Sequence, residues 1–167
     1  MKMLIIDTSQ KIGVLSLYQE SIGFQTIEID SQNQQKLLIN SLDSLVKDVT
    51  INFIAICIGP GSFTGTRIGV MTAKGLSYAK NIPLHPFNSL LPYHTPNTLT
   101  LLDAKHDHAF VFNGSLLEKL PYIELQTSLL PLFSPYPEAF PFPVNQSHYQ
   151  LESLLSLTPK SSLQLIY

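Results

Sequence analysis

The sequence predicts an α/β protein with a mixed sheet, because of the order in which its strands and helices follow one another. Three β-patterned segments come first, and the connections between them are too short for parallel crossovers. A segment with helical periodicity, a short apolar strand and a second helical segment follow. This β-β-β-α-β-α order is typical of a mixed sheet with helices packed on it.

The first three strands are predicted at residues 2–6, 12–18 and 24–29, where apolar runs or alternating patterns are bounded by turn-forming residues. Helical periodicity over residues 34–49 places one apolar stripe on a single face. That stripe contains Leu38, Leu42, Leu45, Val46 and Val49. A strand at 53–58 and a helix at 66–80 complete the order.

The C-terminal half has weaker signals. An edge strand is predicted at 81–84, because Pro83 and Pro86 are tolerated mainly at edges. One helical turn is predicted within 88–93. Further strands are predicted at 98–102, 109–112, 116–125 and 163–167, and a short helix at 147–157.

Residues 131–143 contain five prolines interleaved with aromatic side chains, at positions 131, 135, 137, 141 and 143. Such a density of prolines excludes a helix. Two interpretations remain, an extended connector that packs its aromatic residues on its own domain and a polyproline segment that docks on another protein.

Composition restricts the function. The net charge is −2, which gives no broad electrostatic footprint for nucleic acid or an acidic membrane. The single cysteine, Cys57, lies in an apolar run and is expected to be a buried thiol in a reducing cytoplasm. No segment is long and apolar enough for a membrane span, and no two histidines lie three or four residues apart. His106 and His108, which are two apart beside Asp103 and Asp107, form either an adventitious metal site or a solvated hairpin turn.

The loop from Gly59 to Gly65 sits between a strand and a helix, as phosphate-binding loops do, and contains Gly59, Pro60, Gly61, Ser62 and Thr64. It is not a Walker loop, because Thr66-Arg67 follows the last glycine instead of Lys-Ser or Lys-Thr. It is a poor dinucleotide fingerprint, because no Asp or Glu occurs from residue 49 to 102. Either an anion binds near Arg67 at the helix N-terminus, or the loop is a structural turn.

Two further features have more than one interpretation. The cluster Asp7-Thr8-Ser9 is either a phosphate-binding hairpin or a turn cap. On the helix after the loop, small residues recur every fourth position, at Gly65, Gly69, Ala73 and Ser77, and form a seam that a second helix can approach closely. That second helix belongs either to the same chain, to a second copy or to a different protein.

Residues 58–69 read Ile-Gly-Pro-Gly-Ser-Phe-Thr-Gly-Thr-Arg-Ile-Gly, which resembles the signature of the TsaB (YeaZ) family. Residues 4–9, Lys74-Gly75-Leu76 and Leu102-Asp103-Ala104-Lys105 match other parts of the family pattern in the correct order. The resemblance implies an actin-like ATPase (ribonuclease H-like) fold. It also implies an N-terminal lobe at residues 1–95 and a shortened second lobe at 96–167, with a Pro-rich connector at about 127–146.

The resemblance further implies a cytoplasmic, non-catalytic scaffold for modification of the adenosine beside the tRNA anticodon. The seam, together with Leu38, Leu42 and Leu45, is expected to dock a TsaD-like catalytic subunit that works with a TsaE-like ATPase. ATP and iron then belong to those partners, tRNA is reached only through the complex, and a homodimer through the same helices is a second arrangement. The alternative function is an ATP-dependent phosphotransferase that uses Asp7 and the Gly59–Gly65 loop.

The sequence departs from the family pattern at two positions that bear on these expectations. Gln34-Gln35 stands where the family's first helix opens with a histidine, and Lys105 replaces the arginine of the Asp-Ala-Arg motif. The H-x-x-x-H iron-binding pattern of TsaD-like proteins is absent, which favours the non-catalytic interpretation.

Overall fold

The structure is a computed structural model that describes residues 1–157. Two compact units divide this part of the chain: Met1–Ser89 together with Ser156 and Leu157, and Leu90–Leu155. The lobe boundary predicted after residue 95 therefore falls inside the second unit. Within residues 1–157, none of the helices has the length and apolarity that crossing a membrane requires.

The first unit is built on a five-stranded mixed sheet. Its strands are β1 (Lys2–Asp7), β2 (Ile12–Gln19), β3 (Gly23–Asp30), β4 (Phe53–Cys57) and β5 (Leu84–Phe87). They are arranged in the order β3-β2-β1-β4-β5, in which β1, β2 and β3 are antiparallel while β4 and β5 join parallel to β1. The predicted class and element order are thus confirmed. The edge strand predicted at 81–84 lies three residues later, at Leu84–Phe87, and its position at the sheet edge suits Pro86.

Two helices connect these strands, α1 (Gln34–Val46) and α2 (Phe63–Lys80). A short 3-10 turn capped by Asp30 precedes α1, which ends three positions before the predicted Val49. The Ser62 side chain accepts a hydrogen bond from the Gly65 amide and starts α2 earlier than predicted. Asn81, in the left-handed conformation, ends α2.

The core of the first unit lies between the helices and the sheet. Its fully buried members are apolar side chains from both layers, namely Leu4, Ile6, Leu15, Leu17, Ile29, Leu38, Ile54, Ile56 and Ala73. Both faces of the central strands β1 and β4 are covered, since every residue of β4 and all but the first of β1 are buried.

The second unit contains another five-stranded sheet. Its strands are β6 (Leu99–Asp103), β7 (His108–Phe112), β8 (Leu117–Pro121), β9 (Leu132–Ser134) and β10 (Asn145–Gln146), in the order β10-β9-β6-β7-β8. The strand predicted at 116–125 is too long, because it stops at Pro121 and continues as the short helix α3 (Tyr122–Leu125). At this point the Tyr122 amide donates a hydrogen bond to the Asp107 carbonyl.

The proline-rich segment belongs to this second sheet. It contributes β9, which pairs in parallel with β6. The rings of Phe140 and Phe142 pack against Tyr122 at centroid distances of 5.6 and 5.3 Å. Packing of the aromatic residues on the unit's own core is therefore confirmed, and these two rings are not free for a partner's groove.

Two predictions for the C-terminal part of the chain have different outcomes. The helix predicted at 147–157 is shorter, a 3-10 segment from Leu151 to Ser156. The strand predicted at 163–167 lies outside the described residues.

Candidate functional site

The loop of residues 59–65 packs directly on the Asp7-Thr8-Ser9 hairpin. The Ser62 amide donates to the Ser9 carbonyl at 2.7 Å, and the Thr8 hydroxyl donates to the Gly65 carbonyl, also at 2.7 Å. The Gln34 side chain adds a third contact from α1, because its Nε2 donates to the Thr8 carbonyl. Hairpin, loop and both helix N-termini therefore form one hydrogen-bonded junction.

Close backbone approach explains two glycines of this loop. A Cβ atom at Gly61 would overlap the Ser9 carbonyl oxygen, and its φ of +151° also disfavours other residues. At Gly65, a Cβ atom would overlap the Thr8 carbonyl oxygen and press on the Gln34 side chain. These glycines let the loop lie against the hairpin.

The carboxylate of Asp7 is enclosed by this junction, with only 2% of the residue exposed. One of its oxygens accepts hydrogen bonds from the amide and the hydroxyl of Ser9. Burial raises the pKa of the neighbouring Cys57 thiol well above its ordinary value, and the negative charge of Asp7 raises it further. Cys57 is consequently a neutral thiol, as its apolar surroundings in the sequence predict.

Arg67 lies on the outer side of α2. Its guanidinium stacks on the Phe63 ring at 3.7 Å from the centroid. Ser62 is the N-cap of the helix, and the exposed Thr64 lies in its first turn.

The predicted small-residue seam faces the interior and is wrong as a docking surface. A Cβ atom at Gly69 would meet Thr8, Ile6 and Ile56, and Ala73 is fully buried. The half-buried Ser77 donates to the Ile82 carbonyl at 2.6 Å. Small side chains on this face allow α2 to lie close to β1 and β4 of its own sheet.

The leucines assigned to the same surface are also interior. Leu38 is fully buried and Leu42 nearly so, while the partly buried Leu45 packs against the same core. The apolar stripe of α1 thus belongs to the core of the first unit, where the hydrophobic effect stabilises it most.

An exposed apolar surface of the two helices lies instead in a groove between α1 and α2, which we call the α1–α2 groove. It encloses about 720 Å³. Its apolar or small lining residues are Ile39, Leu42, Val46, Met71, Thr72, Gly75, Leu76 and Ala79, and its charged rim is formed by Asp43, Lys47, Asp48 and Lys80. Met71 is 68% exposed and Ile39 54% exposed.

The sequence gives only one signal for this groove. Gly75 lies off the four-residue seam. A glycine in the middle of a helix is destabilising relative to alanine, which indicates that its small size has a use at this position. Within residues 1–157, a Cβ atom at Gly75 would meet no atom within 4 Å apart from its chain neighbours and the adjacent α2 backbone, so this glycine leaves open space in the groove.

In the second unit, the motif around Asp103 forms a polar cluster at the β6–β7 turn. Asp103 accepts hydrogen bonds from the Tyr122 hydroxyl at 2.9 Å, the Lys105 amide at 2.8 Å and the Lys105 ammonium group. Burial alone raises the pKa of Asp103, but these hydrogen bonds outweigh it and hold that pKa below its ordinary value. Within residues 1–157, no three His, Cys, Asp or Glu side chains are grouped for a metal.

Burial and the Asp103 carboxylate raise the pKa of Tyr122 to about 12. A raised tyrosine pKa means that folding favours the protonated form, so this stability is present below pH 10 and is lost as the pH rises through 12. In urea unfolding, we expect the stability advantage of the native chain over Tyr122→Phe to fall by about 2 kcal/mol between pH 10 and 12. Parallel pH profiles for the two proteins would contradict this linkage.

The two mixed sheets, the β-β-β-α-β-α order and the junction define the class of this protein, the ribonuclease H-like fold of actin-like ATPases. A solved structure titled YeaZ from Pseudomonas aeruginosa superimposes with a TM-score of 0.73 and 20% identity, covering 93% of this chain and 90% of that one. A second P. aeruginosa structure, described as similar to peptidase YeaZ, gives a TM-score of 0.63 and 21% identity, covering 93% and 88%. These likenesses confirm the fold.

Residues 28–121 match the family model described as TsaD: tRNA N6-adenosine threonylcarbamoyltransferase. Relatives named tRNA threonylcarbamoyladenosine biosynthesis protein TsaB come from Bacillus subtilis, with 32% identity, and from Escherichia coli, with 31%; in each comparison the match covers 54% of this chain and 42% of the relative. The chain belongs to the TsaD family in the broad sense of that model, as a TsaB (YeaZ)-type member. It spans about half the length of the curated relatives it matches.

Proposed function

We propose that this chain is a non-catalytic subunit for tRNA threonylcarbamoyladenosine biosynthesis, which docks a TsaD-like catalytic subunit through the α1–α2 groove. The observation that carries this proposal is the exposure of Met71 and Ile39 beside the open space at Gly75. Contiguous exposed apolar surface with a charged rim is typical of a protein interface. A TsaE-like ATPase works with that pair. A homodimer formed through the same groove would compete with docking of the TsaD-like subunit.

The junction supports the non-catalytic part of the proposal. A phosphotransferase of this fold needs an accessible carboxylate and free backbone donors beside the nucleotide phosphates. Here Asp7 is buried, and the Ser62 amide is already bonded to Ser9. ATP is accordingly assigned to the partner subunits, and calorimetry with ATP and Mg²⁺ tests this assignment. Micromolar binding together with turnover would favour the phosphotransferase. Iron is assigned to them because the sequence lacks the H-x-x-x-H pattern.

Met71→Glu and Gly75→Leu test the docking surface. We expect each substitution to weaken binding to the TsaD-like homologue of the same organism by tenfold or more, because one buries a charge and the other fills the groove. Affinity is measured by calorimetry, and light scattering reports whether the complex contains one or two copies of this chain.

The matched control is Ile22→Glu, which places the same charge at an exposed apolar position in the β2–β3 turn, away from the groove. Its affinity should equal that of the native chain. Met71→Glu and Ile22→Glu should keep a Tm close to the native value, since exposed substitutions change stability little, and Gly75→Leu should be at least as stable as the native chain because it removes a glycine from the helix interior. Unchanged binding by both folded groove variants would refute the groove as the docking site.

A further inference from the structure

A polar pocket adjoins the α1–α2 groove at the N-termini of the two helices. It encloses about 550 Å³ and is lined mainly by residues 31–36 of the α1 N-terminus and residues 62–65 of the α2 N-terminus. Ile39 lines both this pocket and the groove, so a partner seated in the groove also covers the pocket. We call it the junction pocket, because Gln34 and Gly65 belong both to its wall and to the hydrogen-bonded junction.

The wall of the junction pocket contains a buried oxygen that the chain itself does not satisfy. Gln34 is only 5% exposed, and its Nε2 donates to the Thr8 carbonyl at 3.2 Å. This bond fixes the orientation of the side-chain amide, because the reverse orientation would set two oxygens against each other. The other atom, Oε1, accepts no hydrogen bond from the described residues. A partner that covers the pocket excludes water from it and must supply a donor to this oxygen, since a buried unpaired acceptor weakens binding.

Donors lie around this oxygen. A Cβ atom on Gly65 would lie 2.9 Å from Gln34 Oε1 and 3.2 Å from Ser62 Oγ, so both oxygens are close to the same point of the pocket wall. The Thr64 amide lies in the first turn of α2, where a helix offers no backbone acceptor to its N–H groups. Lys36 is exposed, and among the described residues that line the pocket it is the only charged one. The pocket therefore presents one buried acceptor beside several donors.

The side chain that fits this set is a carboxamide. It holds a donor and an acceptor on separate atoms, so its NH₂ group can donate to Gln34 Oε1 while its oxygen accepts from the donors of the pocket. A carboxylate would set a negative oxygen against Gln34 Oε1. An ammonium or guanidinium group has no acceptor and would meet Lys36 as a like charge.

We propose that the junction pocket receives an asparagine or glutamine side chain of the docked TsaD-like subunit, whose carboxamide donates to Gln34 Oε1. This inference deepens the proposed function and rests on it, because the α1–α2 groove must hold that subunit for its side chain to reach the pocket. The groove supplies apolar contact area, whereas Gln34 determines specificity, since a partner without a donor at this point leaves the oxygen buried and unpaired.

Calorimetry with the TsaD-like homologue of the same organism tests the pocket through two substitutions of Gln34 at neutral pH. Gln34→Met removes the acceptor from a side chain of similar length and should weaken binding about 3- to 10-fold, as expected for the loss of one buried hydrogen bond. Gln34→Glu keeps an oxygen acceptor there and should bind more tightly than Gln34→Met, because a carboxamide N–H also donates to a carboxylate. A carboxylate from the partner would reverse this order by charge repulsion.

Thr8→Val is the matched control for a weakened junction. It keeps the shape of the side chain and removes the hydrogen bond to the Gly65 carbonyl, but it leaves the side chain of Gln34 unchanged. Its affinity should equal that of the native chain, measured like the others at a temperature at which each variant is folded.

Three results would overturn the pocket proposal. They are native affinity of Gln34→Met, equal weakening by Gln34→Met and Thr8→Val, and weaker binding by Gln34→Glu than by Gln34→Met. The groove variants separate this proposal from the docking proposal. Native affinity of Gln34→Met together with lost binding by Met71→Glu and Gly75→Leu rejects the pocket alone. Native affinity of both groove variants rejects docking through the groove, and the pocket proposal falls with it.

Discussion

Replacement of Gly65 by alanine is expected to lower the free energy of unfolding by about 3 kcal/mol. The added Cβ would overlap the Thr8 carbonyl oxygen, which is backbone and cannot rotate away. Relief requires the N-terminus of α2 to move off the hairpin, which strains the hydrogen bonds from Thr8 to Gly65 and from Ser62 to Ser9. Urea unfolding followed by circular dichroism measures the change.

Gly75→Ala is the matched control for this prediction, because it makes the same chemical change in the same helix. Among the described residues, no atom beyond its chain neighbours and the adjacent α2 backbone lies within 4 Å of the position that its Cβ would take. The variant should therefore gain about 0.5 to 1 kcal/mol of stability from helix propensity. Equal destabilisation by the two substitutions would show that helix backbone effects, and not the junction, govern Gly65.

Replacement of Leu38 by alanine is expected to cost about 3 kcal/mol of unfolding free energy. Its side chain is fully buried in the core between α1 and the sheet, so truncation leaves a cavity there. The neighbouring Ile39 is 54% exposed, and Ile39→Ala should change the stability by no more than about 0.5 kcal/mol.

The two variants should separate stability from binding. Ile39→Ala is expected to reduce the affinity for a TsaD-like subunit, because Ile39 lines the α1–α2 groove. Leu38→Ala, measured at a temperature at which it remains folded, should keep the native affinity. Native affinity of Ile39→Ala together with reduced affinity of Leu38→Ala would contradict the groove and would favour the apolar stripe of α1 as the docking surface, as the sequence predicts.

Local patterns predicted much of the first unit correctly. The short connections among the first three strands required antiparallel pairing, and the apolar run at 53–58 could only be a buried strand. The observed helix boundaries differ from the predicted ones where a capping side chain sets the first turn. The Ser62 side chain caps α2, which therefore begins before the periodic apolar pattern does. The β8-to-α3 transition was missed, because the apolar pattern continues through Pro121 into Tyr122, whose ring turns into the core of the second unit.

The sequence by itself determined the fold class, the order of the elements and the family signature at 58–69, because periodicity, turn chemistry and glycine spacing are local properties of the chain. Which face of each helix remains exposed was decided only by the tertiary structure. A seam of small residues and a stripe of leucines favour close packing equally well on a sheet and on a partner. The sheet of the same chain covers the seam and Leu38, since burial there needs no second molecule, and thus Met71, Gly75 and Ile39 are left to form the groove.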